Sequence, residues 1–324
     1  MLAVNRRSRL GLCAFVAAVF VVLAGCSAPD DGDSGSGETI TVDHQYGTTT
    51  VPANPKRVVV FGGIWTDSLV KLGVPITAEF VTAGYAGPGN RFEWTPEHSG
   101  EVVAGSGPPD VAQVAAFKPD LIVAGEVGYL PDQSTYERLS RLAPTIPVTT
   151  KGAVGDRWQD TMVTAGKIFG KQEQAAAAIA DVEGKLSAAR AEYPNAAGKT
   201  FTFGQLSPDQ RFAVVTSEND PATRLLAQLG LRLDPAVMGL SDSGQRTFVS
   251  QERVDLLSSD VLVFWPLVGG PAAFSRVPGW DQLPAVRSGT TLFLNNDNAT
   301  GLGSPTVYSV PWFIDTMKPV LAKI

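Results

Sequence analysis

The stretch from Asp156 to Tyr193, DRWQDTMVTAGKIFGKQEQAAAAIADVEGKLSAARAEY, constrains the fold more than any other part of the chain. Apolar residues recur at Trp158, Met162, Ala165, Phe169, Ala176, Ile179, Val182, Leu186, Ala189 and Tyr193. Steps of three and four residues place them on one face of a helix. Gly166 and Gly170 weaken the pattern, and Gly170 is expected to divide a short first helix from a long second one. As one helix, Gln172 to Tyr193 would span about 33 Å at 1.5 Å per residue. Pro194 ends it, because proline has no backbone N–H to continue the ladder. Segments rich in β-branched residues flank it on both sides. A long helix between two sheet-forming halves predicts two lobes with a cleft between them. An ordinary crossover helix inside one domain satisfies the same pattern.

With 324 residues the chain can give two domains a real core each. Its first residues do not belong to that core. Arg6, Arg7 and Arg9 precede an uncharged apolar run, Leu10–Ala24, too short for a comfortable membrane span. The run ends in Leu23-Ala24-Gly25-Cys26, small residues before a cysteine, as in the bacterial lipobox. Cys26 is therefore expected to carry lipid and to anchor the mature chain on the extracytoplasmic face of the cell membrane. The Arg6-Arg7 pair hints only weakly at twin-arginine export. Removing residues 1–25 takes three arginines from a formal charge of −6 and leaves −9. So acidic a body is not expected to bind nucleic acid, which needs basic patches. Cys13 leaves with the leader, so no thiol remains for a zinc site, a nucleophile or a disulfide. Ser27–Glu38 is rich in Gly, Ser and Asp with nothing to bury, and reads as a tether.

Ile40–Pro52 alternates and turns at Gly47, as a hairpin does. Strands are expected at Val58–Phe61, Ile76–Val81, Asp120–Ala124 and Ile146–Thr149, with short helices at Asp67–Leu72, Asp110–Phe117 and Tyr136–Leu142. That alternation argues for parallel βαβ units. Thr82–Ser99 is a long polar and aromatic loop, a length usually reserved for function or mobility. Beyond the long helix, strands are expected at Thr200–Leu206, Phe212–Val215, Val261–Trp265 and Thr291–Leu294. Helices are expected at Pro221–Leu229 and Ser250–Leu257, with a closing helix, Thr306–Leu321, broken at Pro311. The expected division is a leader over 1–25, a tether over 26–39, an N-terminal α/β lobe over 40–155, the interlobe helix over 156–193 and a C-terminal α/β lobe over 194–324.

PKRVVVFGG, FKPDLIVAG at Phe117–Gly125, YERLSRLAPTIPV at Tyr136–Val148, SQERVDLLSSDVLVF at Ser250–Phe264 and GWDQLPAVRSGTTLFL at Gly279–Leu294 occur in this order. Together they resemble the periplasmic-binding-protein family that serves ABC importers of iron–siderophore, haem and cobalamin complexes. The resemblance covers Ile40 to Ile324 and rests on the ordered set rather than on any one motif. It implies an α/β fold of two lobes, with central, mostly parallel sheets joined by one long rigid backbone helix. It also implies a monomer that captures a ferric siderophore or similar chelate and delivers it to an ABC permease. One surface carboxylate per lobe would dock on that permease; Glu137 and Glu252 occupy the matching positions. For each, a solvated helix charge is the plain alternative.

Ligands of such folds sit where loops leave the carboxyl ends of strands. That rule points to Trp65, to Tyr85, Arg91 and Trp94, to Tyr129, to Arg211, to Trp265, and to the run Asn295–Asp297. Aromatic faces suit flat ligand groups, and arginine suits the negative charge of many ferric chelates. Each aromatic could equally be core, and Trp158 and Trp280 are expected to be. The only histidines are His44 and His98, with no paired-His spacing. Iron is therefore expected only inside its chelator, with no metal site or cofactor of the protein's own. Haem or cobalamin remain the alternatives, with Tyr129 a possible haem ligand. GxSxG, HExxH and GxGxxG do not occur, which speaks against an elbow-type hydrolase and a nucleotide enzyme. A surface adhesin or scaffold lipoprotein would bind a macromolecule instead.

Overall fold

The computed structural model describes residues 38–241 and 246–324. The expected leader, the lipid-bearing Cys26 and all but the end of the tether lie outside the described residues. Among those described, no helix is long and apolar enough to cross a membrane.

The body opens with an antiparallel hairpin, β1 (Thr39–His44) and β2 (Gly47–Pro52). There follow β3 (Val58–Phe61), α1 (Gly63–Lys71), β4 (Ala78–Thr82), β5 (Glu101–Gly105), α2 (Val111–Ala116), β6 (Leu121–Ala124), α3 (Gln133–Ser140) and β7 (Thr145–Ile146). These strands pair in the order β5-β4-β3-β6-β7, all parallel. Next come α4 (Trp158–Ile168) and α5 (Gln172–Glu192), and then β8 (Thr200–Leu206), β9 (Phe212–Val215), α6 (Pro221–Gln228), β10 (Arg232–Leu233), α7 (Pro235–Met238) and β11 (Arg246–Val249). The chain ends with β12 (Val261–Pro266), α8 (Pro284–Ser288), β13 (Thr291–Phe293), α9 (Asn296–Gly303) and α10 (Ser309–Leu321). The second sheet runs β11-β9-β8-β12-β13, with β10 beside β8. β8, β12 and β13 are parallel, whereas β9 is antiparallel to both β8 and β11. The two lobes therefore differ: the first sheet is wholly parallel, the second mixed.

Strand alternation sorts the core into three layers. Val58, Val60, Leu121 and Val123 of the first sheet join Phe201, Phe203, Val261 and Val263 of the second in one central cluster. The same cluster takes in buried faces of α4, α5, α6, α9 and α10. The alternate residues face outward into separate clusters, Val59, Phe61 and Ile122 in one lobe, and Leu262 and Phe264 in the other. Period-two alternation is what lets a strand of nothing but apolar residues serve two layers at once.

α4 and α5 are divided at Gly170, whose φ of 63° is the left-handed conformation that ends a helix. α5 packs on α4, α6 and α10. Its buried residues are Ala175, Ala178, Val182, Leu186 and Ala189, so the stripe enters one residue earlier than the expected Ala176 and Ile179. Five alanines in its first turns leave the phase open to a sequence reading.

Other boundaries move for local reasons. α1 begins at Gly63, not Asp67, because Trp65 and Thr66 are buried within it. Asp132 accepts from the Thr135 N–H and starts α3 early. Gln251–Leu257 is 3₁₀-like, and non-helical at Arg253, rather than an α-helix. α10 starts at Ser309, so Pro311 falls in its first turn, where no backbone donor is needed, and does not break it. Strands β5, β10 and β11 and helices α7, α8 and α9 were not expected. Trp158 and Trp280 are buried, as expected.

Candidate functional site

The loops leaving β3, β4 and β6 meet those around β12 and α9 across a cavity of about 310 Å³. Its walls carry Val81, Thr82, Tyr85, Phe92, Trp94, Glu126 and Tyr129 from the first lobe. From the second come Phe203, Arg246, Trp265, Ala299, Thr300 and Thr306. A wider polar cavity adjoins it, bounded by the loop 150–155, by Ser217–Arg224, and again by Arg246 and Gly303.

Two glycines make room for the rings. Gly62 has a φ of 84°, and a Cβ there would lie 2.7 Å from Tyr129 Cε2. A Cβ on Gly301 would lie 3.1 Å from the Trp94 ring. Phe92 and Trp94 stack at 4.6 Å, and Trp94 meets Trp312 of α10 at 4.8 Å. The long 82–99 loop is thus fastened to the opposite lobe by its aromatic residues. Tyr85 approaches Trp265 edge-on, ring centres 6.2 Å apart, across the mouth of the cleft. The Trp265 indole N–H donates to Asn296 Oδ1 at 3.1 Å, and Asn296 Nδ2 donates to the Gly84 carbonyl at 3.2 Å.

Beneath the cavity, Asp67 of α1 accepts hydrogen bonds from Thr95 at 2.7 Å and from Thr306 of the other lobe. Burial outweighs both bonds and pushes the Asp67 carboxyl up to about 7. Glu79 is held by Thr66 and by His98 at 2.9 Å, a pair almost closed to solvent. His98 is thereby committed to structure, and His44 bonds Thr49 in the hairpin. Glu126 differs. Its carboxyl lines the cavity with no hydrogen bond or ion pair among the described residues, and burial pushes it up to about 7. Burial, with Glu126 beside it, pushes the Tyr129 phenol up to about 12.

Four of the residues singled out by position therefore line one cavity: Tyr85, Trp94, Tyr129 and Trp265. Trp65 does not; it is wholly buried in the central cluster, its side chain turned into the core from the first turn of α1. Arg91 donates to the His98 carbonyl at 3.1 Å and closes its own loop. Arg211 is held by Asp209 two residues away at 2.6 Å and lies over the Phe248 ring at 4.1 Å. Neither arginine lines the cavity; the one that does is Arg246, which lies over the Phe203 ring at 5.9 Å. Sequence reasoning missed Arg246, Phe92 and Glu126. Glu126 lies two residues past a strand that was recognised, and the rule of strand ends would have found it. Glu137 is exposed and accepts from Gln133, and Glu252 is exposed at the start of its 3₁₀ turn. A hydrogen bond from Ser250 helps hold the Glu252 carboxyl below its ordinary value. Among the described residues, no cluster of three or more His, Cys, Asp or Glu could hold a metal ion.

Two α/β lobes with an aromatic cavity at the carboxyl ends of their strands have the architecture of a solute-binding protein. The chain belongs to the periplasmic binding protein family, whose model matches residues 85–297. It is 24% identical over 296 residues to the Fe(3+)-citrate-binding protein YfmC of Bacillus subtilis, covering 86% of this chain and 87% of that one. Among solved structures it is similar to a periplasmic solute binding protein of Mycobacterium smegmatis, with a TM-score of 0.72 at 25% identity. That match covers 88% of this chain and 98% of the other. The fold also matches Streptococcus pneumoniae PiaA in complex with ferrichrome, with a TM-score of 0.71 at 19% identity, covering 88% and 99% of the two chains.

Proposed function

We propose that this protein captures a ferric siderophore, or a similar chelate, in the interlobe cleft and hands it to an ABC permease. The observation that carries this reading is the cavity itself, walled by five aromatic side chains of the 82–129 region and β12. Rings of this kind receive an organic shell, not a bare ion. The relative YfmC, named for Fe(3+)-citrate, supports an iron chelate as the cargo class. Iron stays inside its chelator. Haem, with Tyr129 of the cavity wall as its iron ligand, is the second reading. The lipid on Cys26 holds the body at the membrane, α5 keeps the lobes at a fixed separation, and Glu137 and Glu252 meet the permease.

Trp94 and Trp265 border the cavity, so intrinsic fluorescence reports occupancy. Titration with ferric siderophores, haemin and cobalamin should give saturable quenching by one or more ferric chelates at submicromolar concentration, on the order of −8 kcal/mol or better. Saturation by haemin or cobalamin alone would overturn the reading.

A further inference from the structure

Tyr85, Tyr129 and Trp265 turn ring faces or edges toward the same space as the Glu126 carboxyl. Among the described residues, two charged side chains line this cavity, Glu126 on the first lobe and Arg246 on the second. They do not neutralise each other, for Glu126 forms no ion pair among the described residues, and Arg246 reaches Gln205 and the Phe203 ring instead. The main chain that carries this carboxyl is tied down on the first lobe. Glu126 forms a β-bridge with Gly155, and the Val127 N–H donates to the Val154 carbonyl at 3.1 Å. Behind it, Gly62 leaves no side chain that could serve as its partner.

A carboxylate without a counter-ion, bordered by aromatic rings, is complementary to an organic ammonium. The cation gains the Coulomb attraction and the ring quadrupoles together, and both strengthen where water is excluded. The same wall disfavours an anion, which would face a like charge with nothing between. We propose that Glu126, with the rings of Tyr129 and Trp265, forms a subsite for an amine carried by the chelate. Glu126 thereby selects cationic chelates over neutral and anionic ones. The proposal rests on the chelate-binding reading and narrows its ligand class. Arg246, on the opposite wall, would take an acceptor edge of the same molecule.

Three probes separate the possibilities: a ferric trihydroxamate with one free primary amine, the same chelate N-acetylated, and an anionic ferric tris-catecholate. Fluorescence titration of the purified protein at pH 8 keeps Glu126 ionised, above the value to which burial raises it. The amine-bearing chelate should bind about tenfold or more tightly than its acetylated twin, with the catecholate weakest. Glu126→Gln should bring the ratio of the two hydroxamate affinities close to one. That ratio is the readout, since it cancels any general loss of packing, and the wild-type ratio alone is decisive if the variant does not fold. Equal binding of the two hydroxamates, a ratio that survives Glu126→Gln, or tightest binding of the catecholate would each overturn the subsite while leaving chelate binding intact. Failure of all three chelates to bind would remove the chelate-binding reading and the subsite with it.

Discussion

Phe264 and Trp265 are consecutive residues of β12, yet they belong to different parts of the molecule. Phe264 enters a closed cluster, with Phe212 at 5.6 Å, Phe274 at 5.4 Å and Trp280 at 5.8 Å. Trp265 turns to the other face, half-exposed, with Tyr85 opposite it and a hydrogen bond on its indole. The residue class is the same, and position along the strand decides the use. A ring in the strand's middle meets the helices that cover the sheet; a ring at its carboxyl end passes beyond that cover and meets the cleft.

Substitutions at these neighbours give the sharpest test. Phe264→Ala should cost about 3–5 kcal/mol of stability, seen as a lower denaturation midpoint, while the protein that remains folded binds chelate as before. Trp265→Ala should cost about 1 kcal/mol or less but weaken chelate binding by about 2 kcal/mol, roughly thirtyfold. A reversal of the two patterns would break the contrast. The second test is pH. The closed cluster contains no titratable group, whereas the floor of the cleft holds Asp67. Its carboxyl is raised from 3.8 to about 7 on folding, so the native state binds the proton more tightly. That contribution is fully present below about pH 4 and is lost as pH rises towards 7. Stability measured by denaturant should therefore fall more steeply from pH 4 to 7 in the wild type than in Asp67→Asn; parallel curves would refute this. The smallest effect on the isolated protein belongs to the outer surface. Glu137→Ala with Glu252→Ala should leave stability and chelate affinity unchanged and abolish uptake in cells; undiminished uptake would remove the docking role.

Apart from β5, β10 and β11, the strands of both sheets were legible because their residues are apolar and bounded by turns, as at Val58–Phe61 and Val261–Trp265. β11 was not, because its four residues, Arg246–Val249, alternate too briefly to stand out. α9 was hidden for a reason that is itself functional. Gly301 and Gly303 erase its helical signature, and Gly301 is small because the Trp94 ring lies against it. Tyr85, Trp94, Tyr129 and Trp265 could be placed in the cleft from strand ends, but not Phe92 or the arginines. Asp209 captures Arg211 through a contact set by the hairpin turn, and Arg246 reaches the cavity from an edge strand. Trp65 misled because a residue just past a strand enters the core when a helix begins at once.

The central layer of side chains is shared by both sheets, from Val58 and Val60 to Val261 and Val263. A clamshell needs a dry crease along which its shells can part, whereas one continuous cluster of buried side chains runs between these two sheets. Swinging the lobes wide would wet hydrocarbon at about 25 cal/mol for every Å² uncovered. A body built this way is expected to unload by slight yielding of the rim loops, with the work supplied by whatever grips the protein from outside.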